Sequence, residues 1–357
     1  MQQRRARAKL PRLLRAPGAT VLIVTAIAAC AVPSADESVT LVPMDTLVTT
    51  ASELIGGVYD LALSPDGDLY VADYSYKHVL VVGPDGLVRR TIGRQGSGPG
   101  EFEMPYVVRA GADSVWVLDA AGNRVQVFDR AGGLARSYRL DVPGLGGGRD
   151  FRDDGSLAAT IDGLDTAMIL VFDAAGTRVG KFGAPIVPQV ALYDFAALKS
   201  EIRDGRVPDA FRNRATLAWA PDHSLYLAFL AEPQVRRYDA AGRLLWTRTL
   251  DQPALRSARE TFIRKNIEEQ NPSRVHSLQY VTDAAVVGGD LWLLLNTADE
   301  NDGLLLVLRA DDGAVRRRVI FPGLPNTGFF VVDQSRRRLY MAPPSDASIL
   351  VFKLPSL

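Results

Sequence analysis

Residues 61–93 read LALSPDGDLYVADYSYKHVLVVGPDGLVRRTIG, four short apolar runs reversed by two Pro-Asp-Gly turns. In Pro65-Asp66-Gly67 and Pro84-Asp85-Gly86 the proline presets φ, the aspartate favours an Asx-type turn and the glycine accepts left-handed geometry. The runs between the turns carry Val, Leu and Tyr and are too short to be stable alone, so they predict a small antiparallel sheet that needs neighbours on both faces.

Outward from this stretch the same order recurs. Six copies are legible, at residues 59–92, 106–140, 149–182, 214–250, 281–321 and 328–354. The turn glycines Gly86, Gly132 and Gly176 lie 46 and 44 residues apart, the period of a propeller blade. Radial stacking buries both faces of such sheets, and closing the ring removes exposed outer sheets. The expected fold is therefore all-β, a six-bladed β-propeller with short helical insertions between blades. The sixth copy ends after its third strand, whereas SVTLVPMDTLVT (residues 38–49) has strand-forming residues and no copy of its own. This segment is expected to be the outermost strand of blade six and to close the ring, with Pro43 tolerated at a sheet edge.

GRQGSGPGEF (residues 93–102) and VLDAAGNRVQVFD (residues 117–129) carry the most specific signal. With Asp119, Asn123, Arg124, Val125, Val127 and Phe128 in place, blade two resembles the NHL-repeat type and, more broadly, six-bladed propeller lipoproteins of bacteria. Blade one departs from that pattern, with Tyr76-Lys77-His78 where Gly-Asn-Arg stands in the repeat. Some propellers of this kind are lyases with metal-bound histidines and other six-bladed propellers are Ca²⁺-dependent lactonases. The resemblance thus leaves both recognition and catalysis open.

The first 30 residues point to an address. Arg4, Arg5, Arg7, Lys9, Arg12 and Arg15 precede an 11-residue, largely apolar stretch, residues 19–29, and Cys30, the one cysteine of the chain. That order is a secretory leader, and its apolar run is shorter than a bilayer span. Ile27-Ala28-Ala29-Cys30 resembles a lipobox, which implies lipid on Cys30, a tether over residues 31–37 and a propeller over 38–357. The expected location is the cell envelope, facing the periplasm or exterior, and Ala31 after the cysteine leans to the outer membrane. With a single cysteine the chain forms no internal disulfide. Removing the leader's six basic residues leaves 35 basic against 41 acidic, a net charge near −6. No basic surface for nucleic acid is expected; Arg316-Arg317-Arg318 and Arg336-Arg337-Arg338 read as exposed edge or hairpin residues.

Two insertions break the regular spacing. Residues 183–213 and 251–280 each contain an amphipathic stretch, with Leu192, Phe195, Ala196 and Ile202 on one face of the first and Leu255, Phe262, Ile263 and Ile267 on one face of the second. Connections between blades emerge on the same face as the loops between second and third strands, so the insertions should wall one side of that entrance. The face offers Tyr74, Tyr76, Lys77, His78, Asp162, Asp165, Glu232, Asn296 and Asp299 as ligand-binding candidates. Asp119 and Asn123 read instead as turn residues. The three histidines, His78, His223 and His276, fall in different parts of the predicted ring and do not form a metal triad, and no Gly-x-Ser-x-Gly elbow is present. The leading reading is a monomeric, membrane-anchored binding or scaffold propeller that recognises an envelope protein, peptide or glycan and needs no cofactor. The alternative is a divalent-cation-dependent lactonase or lyase of small substrates, with Ca²⁺ among the channel carboxylates.

Overall fold

The structure, a computed structural model, describes residues 37–47, 54–142, 147–162, 166–188, 194–297, 301–324, 328–343 and 348–355. The described residues form a six-bladed β-propeller in which each blade is an antiparallel sheet running from the channel outward. Blade one is Val58–Leu63, Leu69–Asp73, His78–Val82 and Val88–Ile92; blade two is Pro105–Ala110, Ser114–Asp119, Arg124–Asp129 and Leu134–Arg139. Blade three follows with Arg149–Phe151, Leu157–Thr160, Ile169–Phe172 and Arg178–Phe182, and blade four with Ala215–Trp219, Leu225–Phe229, Gln234–Tyr238 and Leu244–Thr249. Val281–Val287, Asp290–Leu295, Gly303–Leu308 and Val315–Phe321 make blade five, and Phe329–Asp333, Arg338–Ala342 and Leu350–Lys353 begin blade six.

The period-2 pattern of the middle strands explains the stacking. Tyr70, Ala72, Val79 and Val81 of blade one face Val108, Val115 and Val117 of blade two, while Leu69, Val71, Leu80 and Val82 point the other way into Tyr340, Ile349 and Val351 of blade six. Each blade interface has its own apolar cluster of this kind, six in all, and burying such side chains contributes about 1.5–3 kcal/mol each. The turn glycines mark a shared device. In blades one to five the pairing of third and fourth strands shifts register at the residue just before the turn, the geometry of a bulge that needs a left-handed residue. Gly176 shows why nothing larger fits: its φ is 85°, and a Cβ there would lie 2.3 Å from the Tyr138 ring of blade two.

The N-terminal segment forms two strands rather than one. Glu37–Thr40 runs parallel to Val315–Phe321 as a fifth strand on blade five, and Pro43–Thr46 pairs antiparallel with Leu350–Lys353 as the fourth strand of blade six. Between them Leu41 donates its N–H to the Ile320 carbonyl at 2.9 Å and is buried in the cluster between blades five and six. The chain thereby crosses two blades before blade one begins.

The insertions carry three helices: α1 (Phe195–Arg203), α2 (Asp209–Arg212) and α3 (Pro253–Glu268). Of the apolar faces expected, Ile202, Leu255 and Phe262 are buried and Ile263 packs against their cluster, whereas Phe195, Ala196 and Ile267 are exposed and Leu192 lies outside the described residues. Alongside them α1 buries Leu198 and Lys199, and α3 buries Ala254, Thr261 and Asn266. The reason is polar: Lys199 Nζ donates to the carbonyls of Glu269 and Asn271 at 3.2 and 2.5 Å, and Asn266 exchanges hydrogen bonds with the His276 backbone, so both must face inward. The arginine runs are likewise used. Arg316 to Arg318 lie within the outer strand of blade five and Arg316 pairs with Asp290 at 2.7 Å, while Arg336 pairs with Asp333 at 2.9 Å. Among the described residues no helix is long and apolar enough to cross a membrane.

Candidate functional site at the channel entrance

Inner strands start at the entrance face, and the side chains at their starts converge there. Tyr59 of blade one stacks on Tyr74 at 4.3 Å between ring centroids and on Tyr106 of blade two at 4.9 Å. The Arg149 guanidinium of blade three lies over the Tyr106 ring at 4.5 Å, a cation–π contact. Next along the rim is Asp162, which closes the second strand of blade three in a left-handed backbone conformation, φ 45°, unusual for a residue other than glycine. Thr160 Oγ1 donates to its carboxylate at 3.1 Å. Burial holds the Asp162 carboxyl above the usual carboxylate range, against the Thr160 hydrogen bond and the positive charges of Arg214 and Arg149. Burial likewise raises the Tyr106 phenol and lowers Arg149. The result is an aromatic wall, two guanidinium groups and one half-screened carboxyl raised by burial.

Of the residues proposed from sequence, Tyr74 and Asp162 join this constellation. Tyr76, Lys77 and His78 form the adjacent hairpin turn: Lys77 takes the left-handed position at φ 59°, and the Tyr76 and His78 rings lie 5.8 Å apart. Burial lowers the His78 imidazole, opposed by the charge of Asp73 and a backbone hydrogen bond at Leu54. Glu232 belongs elsewhere, ion-paired to Arg212 beneath the insertions. Asn296 donates its backbone N–H to the Tyr280 carbonyl at 2.9 Å. Asp165, Asp299 and Cys30 lie outside the described residues. Asp119 is a clamp: buried, it accepts from the N–H groups of Glu103 and Met104 and from Arg124, just as Asp73 accepts from Gly56, Gly57, Ser75 and Tyr76.

Sequence reading missed Tyr59, Tyr106, Arg149 and Arg214. Their signal was available, since each stands at or just before the first residues of an inner strand. It also missed a ring of carboxylates deeper in the channel, around a cavity of about 230 Å³. Asp60, Asp150 and Asp283 come from blades one, three and five, and each accepts the backbone N–H of the next blade's inner strand, from Val108, Trp219 and Phe330 at 2.8, 2.8 and 2.9 Å. Burial raises all three carboxyls, Asp283 to about 7, and for Asp60 the charges of Asp283 and Asp150 add to the effect. Their spacing does not make a ligand set: no group of three or more His, Cys, Asp or Glu that could hold a metal occurs among the described residues.

The comparisons agree on architecture. A family model described as DUF5128, a 6-bladed beta-propeller, matches residues 34–143. The chain is a six-bladed propeller. None of the curated proteins matches its sequence. Among solved structures, a protein described as exported from Bacteroides fragilis is 12% identical with a TM-score of 0.57, covering 90% of this chain and 100% of its own. A chain of a mitotic checkpoint complex is 13% identical, TM-score 0.54, covering 98% and 99%. The gluconolactonase of Xanthomonas campestris is 15% identical, TM-score 0.51, covering 87% and 89%. Identities this low speak for the fold.

Proposed function

We propose that the entrance face is a small-molecule site at which Asp162 transfers a proton, so that the propeller acts on a small polar substrate rather than serving as a scaffold alone. The observation that carries this reading is Asp162 itself: a carboxyl raised by burial, in a strained backbone, with the charges of Arg149 and Arg214 acting on it. In hydrolysis of a lactone, the Asp162 carboxylate would take a proton from water as the water oxygen bonds to the acyl carbon. The ring C–O bond then breaks and the departing alkoxide receives that proton. The guanidinium groups would hold the oxygen on which negative charge develops, and Tyr59, Tyr74 and Tyr106 would offer a flat wall to a ring. The described residues supply no metal-ligand set, so no step is assigned to Ca²⁺.

The test follows proton release from glucono-1,5-lactone and a panel of other lactones and aryl esters, with and without Ca²⁺. The expected outcome is turnover by wild type and a loss of about 10²-fold or more in Asp162→Asn. Wild-type turnover in that variant would remove Asp162 from the chemistry. The tyrosine stack favours a second reading, recognition of a glycan or of an envelope protein or peptide without turnover. It would be selected if ligands raised Tm equally in wild type and Asp162→Asn while no substrate was consumed.

The leader supports an envelope location with lipid at Cys30, and the Asp119–Arg124 clamp supports an NHL-type repeat in blade two. Cys30→Ser is expected to move the protein from the detergent-extracted membrane fraction to the soluble fraction; equal partitioning of both forms would exclude the anchor.

A further inference from the structure

A cavity of about 640 Å³ is remote in chemistry from the entrance site and shares no lining residue with it. It opens between the two insertions over blade four, at the start of α3. That helix begins without a side-chain cap: Gln252 at the N-cap makes no capping hydrogen bond and Pro253 follows it. A 16-residue helix therefore begins, without a side-chain cap, at a cavity that Gln252 and Leu255 line. A second feature points the same way. Tyr280 lines the cavity at 4% exposure, its backbone pinned to Leu230 and Asn296, and its hydroxyl has no partner among the described residues. Gln252, at 5% exposure, spends its carbonyl oxygen on Arg318 and keeps its amide nitrogen.

The charges around the cavity leave one cation over. Glu232 and Asp209 both pair with Arg212, Asp251 pairs with Arg256, and Arg206 is held by Glu201 and Asp204. Arg259 has no carboxylate partner among the described residues; one of its nitrogens donates to the Gly205 carbonyl at 2.9 Å, leaving the rest of a five-donor fork. It acts on the Tyr280 hydroxyl, which burial raises to about 12 against the Arg259 charge, so the phenol remains a donor throughout the neutral range. Beside these donors the wall is apolar, from Val207, Leu250 and Leu255.

We propose that this cavity binds a small monocarboxylic acid, its carboxylate received by Arg259, the Tyr280 hydroxyl and the start of α3, and its apolar body lying on Leu250 and Leu255. One planar fork suits one carboxylate. The site rests on none of the residues assigned to proton transfer.

Isothermal titration of the full propeller with hexanoate and benzoate tests it, with hexanamide and inorganic phosphate as controls. Saturable carboxylate binding is expected, weakened about tenfold in Arg259→Gln and in Tyr280→Phe and unchanged in Asp162→Asn. Arg259 is exposed, so its variant should keep the wild-type Tm, and circular dichroism of both variants confirms folding. The proposal is overturned if wild type binds neither acid, if hexanamide binds as tightly as hexanoate, if phosphate binds more tightly than either acid, or if both folded variants bind like wild type.

Discussion

The ring has two unlike halves. Blades one to three hold the chain with polar clamps and short connections, and their inner-strand starts, with Arg214 from the start of blade four, form the entrance site. Blades four to six take in both insertions, both ends of the propeller and the 640 Å³ cavity. At the end of the second strand, blades one to three carry Asp73, Asp119 and Thr160, each of which accepts backbone N–H groups of the entering chain. Blades four to six have Phe229, Leu295 and Ala342 in that place. The difference teaches how a repeat diverges: where a polar side chain organises the incoming loop the loop stays short, and in blades four and five, where an apolar residue replaces it, the incoming connection carries helices, while blade six is entered by a short connection.

The largest expected effect comes from the ends. A chain beginning at Ser52 lacks Glu37–Thr40 and Pro43–Thr46, which exposes the edges of blades five and six together and removes Leu41 from their shared cluster. Loss of many hydrogen bonds and two edge strands should cost several kcal/mol and expose strands that pair with other chains. Melting at the wild-type temperature as a monomer would show that the interrupted half closes without its N-terminal segment.

A smaller effect is expected in the regular half. Asp73→Ala strands four backbone N–H groups at a buried position, at a cost of roughly 3 kcal/mol or more. Urea unfolding measures it. A change below about 0.5 kcal/mol would mean that water replaces the carboxylate and that the contrast between the halves is not one of clamping.

What could be read in advance follows from the range of the interaction. Turns, strand alternation and the bulge glycines are local, so blade boundaries were legible from Pro65-Asp66-Gly67 and its successors. Asp119 was legible as a turn residue from its nearby partner Arg124, whereas its hold on the Met104 N–H, fifteen residues earlier, was not. The meeting of Tyr59, Tyr106, Arg149 and Asp162 depends on how adjacent blades are set against each other, which no local pattern encodes. Helix faces were legible in part: hydrophobicity placed Ile202, Leu255 and Phe262 inward as found, but also Phe195 and Ile267, which are exposed because the inward hydrogen bonds of Lys199 and Asn266 turn the helices.

The smallest effect concerns the channel, where the halves are alike. Asp60 and Asp150 belong to the regular half and Asp283 to the interrupted one, yet each clasps the following blade through one N–H. Burial raises Asp283 to about 7, above the value of about 4 for an exposed aspartate. The folded state thus keeps a proton that the unfolded chain has released, so this contribution to stability is complete below pH ~4, declines as pH rises to about 7 and is gone above it, at up to about 1.4 kcal/mol per pH unit. Asp283→Asn stays neutral throughout, so its stability should vary less with pH between 5 and 7. Asn has one acceptor oxygen for the N–H groups of Phe330 and Ala284, which adds a constant offset and leaves the slope as the readout. Asp60→Asn should likewise lessen the fall of stability with rising pH, because burial raises the Asp60 carboxyl above its unfolded value. If only one of the two variants changed the slope, the channel too would be divided, and the alternation of blades one, three and five would be a feature of geometry without a shared protonation.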